Sequence, residues 1–205
     1  MELGRPLATV TPTLDGDVLF LLARTETALT VGQLRRVLPQ RSAEGLRKVL
    51  RRLTDQGTVL TEQVGNVYSY RLNRDHLAAE PVLALAHIQQ TFLERLSNRL
   101  ASWPTPPVYA AVFGSAARGS MTPDSDIDLL LVLPEDGAPW EERVGALEDE
   151  VTRWTGNDAR ALTFTVADVV SRGADEPVLR DVLDHGLTVA GNSAWLVKHV
   201  QGRTG

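Results

Sequence analysis

One stretch decides the fold: Val112-Phe113-Gly114-Ser115-Ala116-Ala117-Arg118-Gly119-Ser120-Met121-Thr122-Pro123-Asp124-Ser125-Asp126-Ile127-Asp128-Leu129-Leu130-Leu131-Val132. An apolar strand runs into a Gly-Ser turn and a short helix, and a second apolar strand opens with two aspartates one residue apart. Side chains at i and i+2 of a strand point to the same face, so we expect Asp126 and Asp128 side by side. Two carboxylates that close repel each other unless a cation lies between them, so the pattern predicts a divalent metal site.

The Gly114-Ser115 turn predicts a phosphate-binding element. Gly114 has no Cβ, which lets backbone N–H groups approach a ligand closely. Ser115 adds a hydroxyl just before a helix N-terminus, where the helix dipole favours an anion. A pair of aspartates facing such a turn suits a nucleoside triphosphate carried with Mg²⁺.

Length and composition are those of an ordinary globular protein. The 205 residues suit one large domain or two small ones, and the absence of cysteine excludes disulfides and thiolate metal sites. The N-terminus is not a basic segment followed by an apolar one, and the apolar run 18–23 is too short to cross a bilayer. We therefore expect a cytoplasmic protein with no membrane partner.

Charge is distributed unevenly along the chain. The net charge is −5, yet residues 31–75 hold nine basic and four acidic side chains, an excess of five positive charges. The remainder therefore carries an excess of ten negative charges. Such asymmetry indicates a basic binding module joined to an acidic domain.

The N-terminal third shows three helical patterns followed by two strand-like runs. The helices are expected at 14–25, at 31–38 after Thr30 as N-cap, and from Ser42 to about Gln56. In the third helix Leu46, Val49, Leu50 and Leu53 repeat at helical spacing, so they should be buried. The runs 58–64 and 67–72, joined by Gly65-Asn66, predict a β-hairpin.

Three helices, a hairpin and a basic third helix resemble the winged helix-turn-helix of bacterial transcription regulators, and we assign residues 1–75 to such a domain. The resemblance implies that the third helix enters the major groove of DNA. Its candidate DNA-binding residues are Arg41, Arg47, Lys48, Arg51, Arg52 and Asn66. The alternative for these arginines is a solvated helix face.

Residues 76–103 are predicted to be a linker, with one long amphipathic helix over 81–102 that the prolines after Trp103 end. It is either a homodimer surface or a plain packing helix. Beyond it, strands and helices alternate with short connections, which predicts an α/β (α+β) fold with a mixed sheet and flanking helices in a domain spanning 104–205. The expected strands are 108–113, 127–133, 159–166 and 187–190, and the expected helices include 141–154 and 178–184.

The Gly-Ser turn, the Arg118-Gly119 helix and Ser125-Asp126-Ile127-Asp128 together resemble the DNA polymerase beta-like nucleotidyltransferase superfamily, in particular the minimal nucleotidyltransferases. These include antibiotic-modifying enzymes and antitoxins that adenylylate a partner toxin. The resemblance implies that Gly114, Ser115, Arg118 and Ser125 bind the nucleotide and that Asp126 and Asp128 are catalytic ligands of Mg²⁺ or Mn²⁺. An acceptor hydroxyl would attack the α-phosphorus and release pyrophosphate.

The superfamily pattern includes a third carboxylate on the next strand, about four residues after a glycine. Counting from Gly156, that position holds Arg160, and no acid occurs from 159 to 166. Asp158 just before the strand is one candidate third metal ligand, and Asp168 just beyond it is another. An arginine at this place is expected to pair with Asp126 or Asp128, or to contact phosphate directly.

Two functions follow from these patterns. The first is a Mg²⁺-dependent nucleotidyltransferase fused to a DNA-binding winged helix, with a protein such as a toxin among the possible acceptors. The second is a transcriptional regulator whose nucleotidyltransferase-like domain is a weakly catalytic nucleotide sensor or a dimerisation domain.

Overall fold

The computed structural model describes residues 1–134 and 140–201. The chain divides into two compact units. We call Arg5–Gln89 the N-terminal unit, and Met1–Gly4 together with Gln90–Gly205 the C-terminal unit. None of the helices in the described ranges is long and apolar enough to cross a membrane.

The N-terminal unit contains helices and a three-stranded antiparallel sheet in the order β1-β3-β2. The observed helix and strand bounds lie within two residues of those predicted for the three helices and the hairpin. A short 3₁₀ helix at Pro6–Thr9 precedes α1(Leu14–Ala23), β1(Leu29–Thr30), α2(Val31–Val37), α3(Ala43–Asp55), β2(Val59–Val64), β3(Val67–Leu72) and α4(Ala79–Ala86).

Local signals explain why these elements begin and end where they do. Thr30 caps α2 in a capping box with Gln33, and the Ser42 hydroxyl accepts a hydrogen bond from Gly45 N–H at the start of α3. The apolar face predicted for α3 is buried, and its basic residues are exposed. Gly57, just after α3, has a φ of 76°, a conformation that glycine adopts without strain.

The long helix predicted over 81–102 is two helices, α4 and α5(Ile88–Ala101). They are interrupted at His87, whose backbone N–H donates to Leu83 and Ala84 carbonyls while its ring Nδ1 lies 2.7 Å from the Leu83 oxygen. The shift towards i to i−3 bonding tightens the last turn of α4 and ends it. The division between the two units falls two residues later.

The C-terminal unit is a four-stranded mixed sheet with helices, in the order β6-β5-β4-β7. β4 is antiparallel to β5 and β7, and β5 is parallel to β6. The predicted mixed sheet with flanking helices is therefore confirmed. After α5 the unit contains β4(Tyr109–Phe113), α6(Gly114–Arg118), β5(Ile127–Leu133), α7(Trp140–Thr155), β6(Ala159–Thr165), α8(Val166–Arg172), a 3₁₀ turn at Gly173–Asp175, α9(Pro177–His185), β7(Leu187–Gly191) and α10(Ser193–Val200).

Helix α7 holds the edge strand β6 through side-chain hydrogen bonds. Glu148 Oε1 accepts from Ala161 N–H at 2.6 Å, and Thr152 Oγ1 accepts from Ala159 N–H at 3.1 Å. These bonds satisfy backbone donors that an edge strand otherwise leaves unpaired. They also fix the start of β6 beside β5, where the candidate site lies.

Candidate functional site

The aspartate pair lies where β4 and β5 meet. Phe113 pairs with Asp128 across the two strands, so Gly114, the first residue of α6, follows directly beside Asp128. Gly114 has a φ of 67°, and a Cβ built on it would lie 2.2 Å from Asp128 Oδ2. The turn and the carboxylate are therefore in direct contact, and only a residue without a side chain fits between them.

Electrostatics at the pair match the prediction of two mutually repelling carboxylates. Partial burial raises the pKa of the Asp128 carboxyl above its usual value, and the charge of Asp126 raises it further. The guanidinium groups of Arg160 and Arg118 oppose this change. Both effects that raise the pKa would be relieved by a cation between the two side chains.

Arg160 occupies the ladder position beside Asp128. The two residues are partners in the parallel β5–β6 pairing, and Arg160 Nε lies 3.2 Å from Asp126 Oδ2. Of the interactions expected for an arginine at this place, the structure has the ion pair with Asp126. The Arg160 side chain is 72% exposed, so most of the guanidinium faces solvent.

The two candidate third ligands lie at opposite ends of β6. Asp158 is exposed just before the strand, and its carbonyl accepts from Ile127 N–H at 2.8 Å, so it is at the same end as the aspartate pair. Asp168 follows the far end of β6, roughly 20 Å away at the usual rise of a strand. There it forms a capping box with Thr165 and an ion pair with Arg172.

No group of three or more His, Asp or Glu side chains placed to share a metal ion occurs in residues 1–134 and 140–201. The aspartate pair therefore stands without a third acidic ligand in this part of the chain. At the strand position where the superfamily pattern has a third carboxylate, this chain has Arg160.

Arg118 is bound by a residue that the sequence did not indicate. Its Nη1 donates to Asp181 Oδ1 and Oδ2 of α9 at 2.7 and 2.9 Å. His185 Nδ1 lies 3.2 Å from the same Asp181 Oδ1. Asp181 is 63 residues from Arg118, so no local pattern could have revealed this partner.

The loop that leads into β5 is held by Asn157, for which the sequence indicated no role. Asn157 is buried, and its Nδ2 donates to the carbonyls of Pro123 and Ser125 at 3.0 and 2.8 Å. Ser125 Oγ accepts from Thr122 N–H at 2.9 Å. Ser125 thus shapes the loop beside the aspartates, and Ser115 is half-buried next to Gly114.

In the N-terminal unit, three of the predicted DNA-binding residues line one groove. The groove has a volume of about 690 Å³ and lies between α3, the start of α2 and the hairpin of β2 and β3. Arg47, Arg51 and Asn66 line it together with Tyr68 and Tyr70. Lys48 is exposed on the same helix.

The other two predicted DNA-binding arginines are engaged within the unit. Arg41 Nη2 lies 3.1 Å from Asp17 Oδ2, and Asp17 also binds Arg5 at 2.8 Å. Arg52 forms an ion pair with Asp15. Arg41 and Arg52 therefore contact acids of α1.

Comparison with known protein families bears on the aspartate-pair site of the C-terminal unit. Residues 93–161 match the family model of the nucleotidyltransferase domain. The matched region is about a third of the chain and contains β4, the Gly114 turn, both aspartates and Arg160. A nucleotidyltransferase domain is the type that transfers nucleoside monophosphates, typically with divalent metals.

Solved structures similar to this chain include two toxin–antitoxin crystal structures. The first, a toxin–antitoxin with AMP-PNP, is 15% identical, has a TM-score of 0.40, and is matched over 55% of this chain and 82% of that one. The second, the toxin–antitoxin MntA-HepT, is 14% identical, has a TM-score of 0.37, and is matched over 55% and 81% respectively.

Proposed function

We propose that the C-terminal unit binds a nucleoside triphosphate with Mg²⁺ and transfers its nucleoside monophosphate to an acceptor hydroxyl. The observation that carries this proposal is the direct contact between the Gly114 turn and the Asp128 carboxylate. That contact joins an element suited to phosphate with one suited to a cation. It lies inside the region matched by the nucleotidyltransferase model.

The residues present fit one divalent cation. Asp126 and Asp128 supply two carboxylate groups, and Mg²⁺ is commonly held by one or two carboxylates together with substrate phosphates. A bound Mg²⁺ would neutralise phosphate charge and orient the triphosphate. Mn²⁺ takes the same oxygen ligands.

Residues of the chain bind the triphosphate and shape the loop around the aspartates. Gly114 and Ser115 would hold the triphosphate, Ser125 sets the loop beside the aspartates, and Arg118, bound by Asp181, adds positive charge near Asp128. In the transfer step an oxygen–phosphorus bond forms to the α-phosphorus, the bond to the bridging oxygen breaks, and pyrophosphate leaves. The hydroxyl proton passes to solvent or to a carboxylate of the site.

Transfer of label from α-labelled ATP tests the proposal. Native protein with Mg²⁺ and cell extract as the acceptor source should transfer label, and Asp126→Asn should not. Asp124→Asn is the matched control, because Asp124 is an exposed acid in the same loop. Equal labelling by native protein and Asp126→Asn would refute the proposal. The resemblance to minimal nucleotidyltransferases makes a partner toxin one class of acceptor, and self-labelling would show that the chain itself carries an acceptor hydroxyl.

A second candidate function is DNA-binding regulation by a winged helix in the N-terminal unit, with the C-terminal unit as a nucleotide sensor of low transfer activity. The observation that favours it is Arg160 in place of a third acid, in an ion pair with Asp126. The groove with Arg47, Arg51 and Asn66 supplies a basic surface of the kind that contacts phosphate backbones.

Salt-dependent binding to duplex DNA tests this second function. Neutralising several phosphates makes affinity fall steeply as salt rises. The double change Arg47→Glu and Arg51→Glu should abolish binding at low salt. The matched control is the double change Arg35→Glu and Arg36→Glu, because both arginines are exposed on α2. Equal losses in the two variants would show that net charge, and not the groove, determines binding.

A further inference from the structure

The position of Arg160 is fixed by the sheet. It is the ladder partner of Asp128, and residues paired in neighbouring strands project their side chains to the same face. Its guanidinium therefore lies beside both carboxylates, 3.2 Å from Asp126 Oδ2 through Nε. Because the side chain is 72% exposed, it can change partner without any movement of the backbone.

The two arginines of the site are bound differently. Arg118 donates to both oxygens of Asp181, an acid on α9 that is separate from the aspartate pair. Arg160 pairs with Asp126, which is itself a candidate metal ligand. A cation at Asp126 competes with the guanidinium for the same carboxylate, so its binding releases Arg160 for another anion.

Under the proposed function, the anion that binds beside Asp126 and Asp128 is the triphosphate of the nucleotide. A guanidinium is planar, stays charged at all relevant pH values, and matches phosphate oxygens with two parallel N–H donors. We infer that Arg160 is a phosphate-binding residue that exchanges Asp126 for the triphosphate when the nucleotide binds. It supplies positive charge at the corner where a third carboxylate would hold a second cation. This inference rests on the proposed nucleotide site at Asp126 and Asp128.

Equilibrium binding of ATP to the full chain tests the inference without any need for turnover. Calorimetric titration in the presence of Mg²⁺ should show a loss of affinity of about 10-fold or more in Arg160→Ala, because a charge-assisted contact is removed. Arg160→Lys should keep part of the affinity. Adenosine, which has no phosphate, should bind the native protein and Arg160→Ala equally. Arg153→Ala is the matched control, since Arg153 is an exposed arginine of α7 in the same unit.

Arg160→Glu provides the opposite perturbation at the same ladder position. The variant has a third carboxylate and lacks the guanidinium, so we expect it to bind ATP weakly at low Mg²⁺ concentration. Its ATP affinity should then rise more steeply with Mg²⁺ concentration than that of the native protein. Urea unfolding of the variant, followed by tryptophan fluorescence, checks that the C-terminal unit remains folded.

The possible results separate the inference from the proposed function. Unchanged ATP affinity in Arg160→Ala would overturn the inference, and tighter binding would overturn it too by showing that the arginine blocks the site. If native protein does not bind ATP, or if Asp128→Asn binds it as well as native protein does, the nucleotide site itself is refuted. Binding that depends on Asp128 but not on Arg160 removes the inference alone.

Discussion

Replacing Gly114 by alanine adds one carbon atom at a place where the structure leaves no room for it. The change has two costs. Alanine at a φ of 67° adopts the left-handed region, which costs about 1 kcal/mol relative to glycine. The new Cβ also lies 2.2 Å from Asp128 Oδ2, and overpacking of this kind costs about 1 to 3 kcal/mol. We expect Gly114→Ala to lower the free energy of unfolding of the C-terminal unit by about 2 to 4 kcal/mol.

Gly119 offers a matched control at the other end of the same helix. Its φ is 68°, and a Cβ built there meets no atom within 4 Å. Gly119→Ala should therefore cost about 1 kcal/mol, the conformational part alone. The four tryptophans of the chain all lie in the C-terminal unit, so tryptophan fluorescence during urea unfolding follows that unit. ATP titrations on the same variants should show lost binding in Gly114→Ala and retained binding in Gly119→Ala.

A double-mutant cycle isolates the clash. Without the carboxylate the nearest remaining side-chain atom to the new Cβ is the Asp128 Cβ at 3.5 Å, an ordinary contact. In the Asp128→Ala background, Gly114→Ala should therefore cost no more than Gly119→Ala costs in the native protein. The coupling free energy between positions 114 and 128 should be about 1 to 3 kcal/mol. Equal costs for the two glycine substitutions, with no coupling to Asp128, would refute the reasoning.

Three further changes test how the site is supported. Asn157→Ala leaves two loop carbonyls without their donor and should cost about 2 kcal/mol of unfolding free energy by tryptophan fluorescence; native stability would contradict this role. Glu148→Ala removes the acceptor of Ala161 N–H and should cost about 1 to 2 kcal/mol, whereas an unchanged midpoint in urea would exclude a role for the bond. Thr165 N–H bonding lowers the pKa of Asp168, so Asp168 stabilises the fold above about pH 4 and this contribution is lost as pH falls through the lowered pKa. The difference in free energy of unfolding between native protein and Asp168→Asn should therefore vanish in acid. A difference that grows in acid would contradict a stabilising role for the ionised Asp168 carboxylate.

Local patterns predicted the elements because their causes are local. The capping residues Thr30 and Ser42, the Gly65 turn and the alternating strands act within a few residues, and the structure has each helix or strand they mark. Helix α10 was not predicted, although Asn192 caps it by accepting from Ala194 N–H. The capping residue is visible in the sequence, but the helix is too short to show a clear apolar repeat.

The site was predictable only where its parts are neighbours in sequence. Gly114, Asp126 and Asp128 belong to one strand–turn–strand segment, so their proximity follows from strand geometry. The contacts of Asn157 with the loop and of Asp181 with Arg118 span 32 and 63 residues. Such contacts depend on how the sheet and helices pack, and neither residue type nor spacing indicated them.

The identity of residue 160 is independent of the fold around it. The ladder partner of Asp128 is set by the parallel β5–β6 pairing, which backbone bonds, Asn157 and the α7 side chains hold in register. The Arg160 side chain is mostly exposed, so the packing of the sheet does not select its size. An arginine or an acid at this position is therefore compatible with the same strand pairing. It follows that the match to the nucleotidyltransferase model does not fix the charge at position 160, and under the proposed function we expect that charge to set which cations and phosphates bind beside Asp126 and Asp128.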